Sequence, residues 1–458
     1  MQMQFGSTYQ NHSSISKSMS ISKAKTDRAY VNLCSDDRAM PSCRAVSAAM
    51  EAALWDTSGS VGYFGYAGTH ASADRFHMSG ITDKRCSFLC SAVSELLRAR
   101  AGSGFDLPLS GLSEDSIFIN SGERSDMISL GGRLPESTKI YIPLPASRTT
   151  INAANGYYLS PRYFTPADPL RAPLPCDLPD DFPSEGVESI CLTNEPDSVG
   201  GVCGVSKSYA PVAVFLCSPS DATGIAFERA GLTEWVEFAI KHRVLLIFDA
   251  TLSPFVREYE EAGRYVSTIY EIPGAVMCAA EVCSLLPSWQ GGIRCGYSVL
   301  PDTEFFGRFR GSCLHCAEVS SGTAVSYMTL RGAAGVFSPD GINESRRRVE
   351  YYRCGARRLA AALAAVGFEP TSSVGVSPYV FMRSYGEYRD DGELCRALLE
   401  HYGIEASPGS DFGLGVEYRG REKCGINDTY SGSKVKICYF RVSAIVSPRE
   451  LDLAVSGI

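Results

Sequence analysis

The chain has 458 residues, 45% hydrophobic and 21% charged, the balance of a globular protein long enough for two or three domains and a large core. A formal net charge of -8 argues against a nucleic-acid partner, because phosphate backbones are met by clustered Lys and Arg. The most apolar runs, 210–217, 244–248 and 359–366, fall well short of the roughly 20 residues that span a bilayer, so no transmembrane segment is expected.

Residues 1–26 carry no acidic side chain, several Ser, and the lysines Lys17, Lys23 and Lys25. That start reads either as a transit-like segment, pointing to a plastid or mitochondrial matrix, or as an N-terminal arm of a cytoplasmic protein. Short β-rich runs follow at 116–120, 139–143, 189–192, 212–217, 244–248 and 275–280. A helical pattern over 228–242 carries the apolar Ala230, Leu232, Trp235, Val236 and Ile240. Strands apolar throughout and joined by helices predict an α/β domain whose mostly parallel sheet is covered on both faces. Beyond residue 340 the texture changes to a basic helix over 342–366, whose arginines read as one solvated face, then a strand at 379–382, a helix at 393–402 and a strand at 436–444. The expected organisation is an arm over 1–30 and the N-terminal part of a small domain over 31–60. A large α/β domain over 61–310 follows, then a smaller α+β domain over 311–458 with an inserted loop at 416–433.

Seventeen cysteines could suggest a disulfide framework, but several, such as Cys217, Cys278 and Cys283, lie in apolar stretches where a thiol behaves as a small hydrophobe. A soluble protein of a reducing compartment is the simpler expectation. One Cys-x-x-Cys, Cys313 and Cys316, lacks the second pair of a zinc site, so no metal is expected.

Ligands of open α/β sheets bind at the carboxyl ends of the strands, so the turns after each β-run hold the candidate chemistry. These are 218–224, Asp249, and the stretch from Glu281 through Ser284 to Arg294. Asp249 stands out, since a carboxylate ending an apolar strand is rarely buried without a role. Near the C-terminus stands Tyr439-Phe440-Arg441-Val442-Ser443.

Together with Phe215-Leu216-Cys217-Ser218-Pro219, Leu246-Ile247-Phe248-Asp249-Ala250, Ile269-Tyr270-Glu271-Ile272-Pro273-Gly274 and Pro408-Gly409-Ser410-Asp411-Phe412-Gly413, these segments are ordered and spaced as in a known family. The chain resembles the fold-type-I pyridoxal-phosphate aminotransferases, and within them the LL-diaminopimelate aminotransferase family, from about residue 31 to 447. The resemblance implies a three-layer α/β fold with a smaller α+β domain, and a homodimer. It assigns Asp249 to the cofactor's pyridinium nitrogen, Ser284 and Arg294 to its phosphate, Tyr66 to the phosphate of the partner subunit, and Arg441 to a substrate carboxylate.

Other family positions are altered. The family's Ser-x-Ser-Lys appears as Ser284-Leu285-Leu286-Pro287, so Leu286 or Pro287 stands where the imine-forming lysine belongs. No lysine occurs between Lys241 and Lys423, and a permanently protonated guanidinium is no substitute. Asp221 replaces the amide that faces the cofactor's phenolic oxygen, and Leu252 replaces a tyrosine facing the same oxygen. The Gly-Ala-Lys turn at the phosphate becomes Gly122-Glu123-Arg124, the stacking aromatic is missing from 145–150, and Asp36 replaces a glycine of the substrate loop. Losses at the imine, ring, phenolate and phosphate contacts together predict an inactive homologue without cofactor, serving as a structural or accessory subunit of a homodimer or larger assembly. The alternatives are a protein that still binds an amino acid or a pyridoxal derivative, and an active enzyme using pyridoxal 5'-phosphate atypically.

Overall fold

A computed structural model describes residues 30–34, 43–56, 87–101, 112–120, 138–157, 161–183, 212–257, 263–285, 294–301, 325–371, 373–386, 388–414 and 436–458. In chain order it runs through β1 (Val31–Asn32), α1 (Arg44–Asp56), α2 (Ser87–Ala101), β2 (Ile117–Asn120), β3 (Lys139–Pro143), α3 (Arg148–Tyr157) and β4 (Pro161–Phe164). There follow β5 (Val212–Cys217), α4 (Arg229–His242), β6 (Leu245–Asp249), α5 (Ser253–Arg257), β7 (Ala279–Ser284), β8 (Gly296–Val299), α6 (Tyr327–Gly335) and α7 (Pro339–Ala365). The chain ends with β9 (Glu369–Pro370), β10 (Tyr379–Gly386), α8 (Asp391–Tyr402), β11 (Ile404–Glu405), β12 (Ser407–Pro408), β13 (Lys436–Ser443) and α9 (Pro448–Gly457).

Among the described residues, β2-β8-β7-β6-β5-β3-β4 form a seven-stranded sheet in that order. The run from β7 to β4 is parallel throughout, and β8 is antiparallel to both its neighbours. Both faces are buried, which is why the strands read as unbroken apolar runs. Leu246 and Phe248 of β6 join the core that holds Trp235, while Leu245 and Ile247 join the opposite core with Ile140, Ile142 and Phe215. A second, antiparallel sheet of order β12-β13-β10-β9 carries the C-terminal part, with α7 and α9 packed on it through Leu359, Leu363, Leu451 and Phe440. β1 pairs in parallel with β11, which brings the first described segment beside the smaller, C-terminal part of the fold.

Helix ends follow ordinary capping chemistry. Ser338 caps α7 by accepting the Gly341 N–H, with Pro339 in the first turn; Asp390 caps α8 by accepting the Glu393 N–H at 2.8 Å. Ser447 and Glu450 form a capping box at the start of α9, a helix that the sequence reading left out although Ser-Pro-Arg-Glu carries its signature.

Two expectations need correction. The strand expected at 275–280 begins at Ala279 and runs to Ser284; residues 275–277 form a tight helical turn behind Gly274, whose φ of 85° favours glycine. The arginines of α7 are not one solvated face. Arg353 is 1% exposed, donating from Nε to the Gly375 carbonyl at 3.0 Å and pairing with Glu350, and Arg348 is also buried. Its long stem lets Arg353 span from the helix to a backbone acceptor, so charge alone misreads it. The 189–192 strand, the 416–433 loop, Asp36, Cys313 and Cys316 lie outside the described residues.

Besides Asp249, the described core holds the carboxylate of Glu281 of β7, which has no exposed surface. Thr268 Oγ1 donates to it at 2.5 Å, the Ile269 N–H at 3.1 Å and the Tyr297 hydroxyl at 3.3 Å. Burial pushes its carboxyl up from 4.5 to about 7, against the pull of those donors and of the Arg100 charge. The folded protein therefore holds this proton more tightly than the unfolded chain. The stability it supplies is full below the unfolded value of 4.5 and is lost as pH rises through about 7, worth up to roughly 3 kcal/mol. Urea unfolding on either side of that window is expected to show this loss in the wild type and a flatter profile in Glu281→Gln; equal pH dependence in both would refute the assignment.

Candidate active site

The parallel strands β5, β6 and β7 end at one edge, with Cys217 in register with Asp249 and Asp249 with Val282. Asp249 is 1% exposed. Its Oδ1 accepts the Thr251 N–H at 2.9 Å and its Oδ2 accepts the Cys217 thiol at 3.8 Å. The main chain fastens the same edge: the Ser218 N–H donates to the Asp249 carbonyl at 3.1 Å and the Ala250 N–H to the Val282 carbonyl at 2.9 Å. Thr251 Oγ1 accepts the Ser284 N–H at 3.0 Å, joining the end of β7 to the turn after β6.

The turn after β5 is built by Ser220, whose hydroxyl accepts the Ala222 and Thr223 N–H groups, each at 3.2 Å. Gly224 closes it with φ of 73°, and a Cβ there would come within 2.4 Å of the Tyr379 carbonyl of β10. Only glycine meets both demands, so the turn seats directly on the smaller sheet. Arg441 of β13 completes the junction. Its Nη1 donates to the Asp221 carbonyl at 2.8 Å and its Nη2 to the Cys34 carbonyl at 3.4 Å. The guanidinium lies 4.5 Å from the Tyr379 ring centre and 4.7 Å from that of Phe412, and is 5% exposed. Beneath it, burial pushes the Cys34 thiol up to about 11, so this cysteine stays neutral at physiological pH.

The remaining sequence-predicted positions are distributed as follows. Ser284 is half-buried and Arg294 exposed, on either side of residues 286–293. Leu286, Pro287, Tyr66, Glu123 and Arg124 lie outside the described residues. Leu252 is packed in an apolar cluster with Phe255, Val349, Tyr352, Tyr379 and Ile445. The stretch where the resemblance places a stacking aromatic starts α3: Ser147 Oγ accepts the Thr150 N–H at 3.1 Å, and Arg148 forms an ion pair with Asp411. A cleft opens beside Asp221 and Thr223, walled by Pro143, Ala146, Cys217 and Phe227; Cys217 rather than Asp249 forms its wall. Sequence reasoning overlooked Cys217, Thr251 and Tyr379 as partners of this edge, since each reads as strand or turn filler. Register between β5 and β6 is what brings the thiol to the carboxylate.

Residues 203–430 match the family model described as aminotransferase class I and II. The chain is 25% identical over 406 residues to an LL-diaminopimelate aminotransferase of Desulfotalea psychrophila, covering 85% of this chain and 83% of that one. It is 30% identical over 268 residues to an LL-diaminopimelate aminotransferase of Desulfosudis oleivorans, covering 55% and 58%. Among solved structures, an L,L-diaminopimelate aminotransferase from Chlamydomonas reinhardtii superposes with a TM-score of 0.64 at 21% identity, covering 94% of this chain and 90% of that one. That likeness establishes the three-layer aminotransferase fold.

The Arg441 contacts yield a stability prediction. Arg441→Ala removes a buried guanidinium that holds two carbonyls and two rings, and should lower unfolding free energy by about 3 kcal/mol; Arg441→Lys should recover less than half. Denaturant unfolding checks this. A loss near zero for the alanine variant would mean that the side chain is held ready for a ligand instead of holding the junction.

Proposed function

Because this chain belongs to the aminotransferase class I and II family, we propose that it is a member that has kept the family body and given up the transamination chemistry, acting as a structural or accessory subunit. The observation that carries this reading is the absence of any lysine between Lys241 and Lys423, the span holding the end of β7 where the family places its imine-forming residue. Pyridoxal phosphate supplies this family with an electron sink once an amine is linked to it.

The residues present do not fit that group as an imine-linked cofactor. Leu252, where the family has a hydroxyl donor, is sealed into an apolar cluster. Asp221 puts a carboxylate, an acceptor when ionised, where the family has an amide donor. The Asp249 carboxylate is capped by Thr251 and Cys217, so the family's charge partner serves here to pin two strand ends. Arg441 is engaged with backbone carbonyls and aromatic faces, the work of a structural ion. Each substitution alone is compatible with altered chemistry; their coincidence at one strand edge favours a site released from catalysis.

The relatives' name suggests the substrate to test. A transamination assay with LL-diaminopimelate, a 2-oxo acid acceptor and added pyridoxal phosphate is expected to give no turnover above the protein-free background. Turnover abolished by Arg441→Ala, with the variant still folded, would overturn the proposal and restore the enzyme reading. The accessory role carries its own expectation, a homodimer or larger assembly in solution, which light scattering of the purified chain measures; a monomer at all concentrations would contradict it.

A further inference from the structure

The segment after β4 carries a tight turn, Asp168–Arg171, whose tip is buried. The Asp168 carboxylate accepts the Leu170 N–H at 3.0 Å, and its carbonyl accepts the Arg171 N–H at 3.2 Å. Pro169 supplies the fixed φ that the second position of such a turn favours. Turn tips ordinarily stand in water, yet Leu170 is only 6% exposed. It is packed with Ala222 of the turn after β5 and with Phe381, Phe412, Leu414 and Tyr439 of the smaller part. A side chain of the larger part is thus seated against the smaller sheet. Arg383 of β10 meets the same turn: Glu369 holds it at 2.9 and 2.8 Å, and its Nη1 lies 3.6 Å from Asp168 Oδ1. The Asp168 side chain is half-exposed, so salt screens that pair and the apolar contact dominates.

The turn is held as a rigid peg on the larger part. The Asp177 carboxylate accepts the Ala167 N–H at 3.4 Å, the Leu174 N–H at 2.8 Å, and Arg171 Nη1 and Nη2 at 2.7 and 2.5 Å. Trp235 of α4 donates from Nε1 to the Pro173 carbonyl at 2.9 Å, and Phe182 packs on Tyr141 and Phe238. The same segment walls the cleft beside Asp221 and Thr223 through Pro166, Pro169 and Ala172. The space left there is about 40 Å³, room for a few waters and far below the roughly 300–1,000 Å³ of small-molecule sites. Each part also has its own core, so the two can separate without either unfolding.

We propose that this turn is a latch: Leu170, carried rigidly by the larger part, seats in the smaller one and holds the two closed, with the Asp168–Arg383 pair as a weaker, salt-sensitive catch. The latch does not rest on the inactive-homologue reading, since it concerns how the two parts hold and not what either binds. The junction has its own reporter. The Ala146 N–H of the larger part donates to the Phe412 carbonyl of the smaller one at 3.1 Å, so its exchange with deuterium follows opening.

Hydrogen exchange of the full-length protein, read by mass spectrometry on peptides covering 144–147 and 245–249, tests the latch. Leu170→Ala is expected to speed exchange at Ala146 about tenfold or more, with 245–249 in β6 unchanged. Should that variant fail to fold, Asp168→Asn keeps the acceptor that the turn needs and loses only the charge. Exchange at Ala146 should then rise about threefold at low salt and match the wild type at about 1 M salt. Two outcomes overturn the proposal. One is Ala146 exchange that stays unchanged in every variant that folds. The other is a rise shared equally by 245–249, which would mean that Leu170 supports the whole fold and latches nothing.

Discussion

The guanidinium of Arg441 sits where three parts of the molecule meet. It takes a carbonyl from the turn after β5, a carbonyl from the segment after β1, and the faces of Tyr379 and Phe412 from the smaller sheet and its flanking turn. Nη1 and Nη2 of this buried cation are used on those two carbonyls, so the geometry of the junction follows where the acceptors lie. The seating of Gly224 under the Tyr379 carbonyl and the Arg148–Asp411 pair fall into line around it. The guanidinium thereby ties the smaller sheet to the turn after β5 of the larger one.

Asp249 is engaged in a similar way. A carboxylate at the end of a buried strand must be hydrogen-bonded, and two groups of its own edge meet that need. The Leu252 position has gone further and joined the hydrophobic core between α5 and α7. Asp249 and Leu252 are thus both engaged in contacts within the chain.

Much of this was legible from residues alone. Val212–Cys217, Arg229–His242 and Lys436–Ser443 form within a residue of where periodicity places them, because strands buried on both faces and one-sided helices leave unambiguous patterns. Asp249 announced itself by ending an apolar run. The β7 strand was misplaced because Ala275, Val276 and Met277 are as apolar as the strand they precede, and only the positive φ of Gly274 turns them away. Buried Arg348 and Arg353 were misread because a charge pattern does not disclose which guanidinium finds a backbone acceptor. The Cys217–Asp249 contact depends on strand register, which no local pattern encodes.

The central claim is that the strand edge at Asp249 no longer forms an imine with pyridoxal phosphate. The most direct measurement is the visible spectrum of the protein mixed with pyridoxal phosphate, followed by borohydride reduction and intact-mass analysis. The account predicts no shifted absorption band and an unchanged mass. A new band together with a reduced adduct, mapped to one lysine, would contradict it.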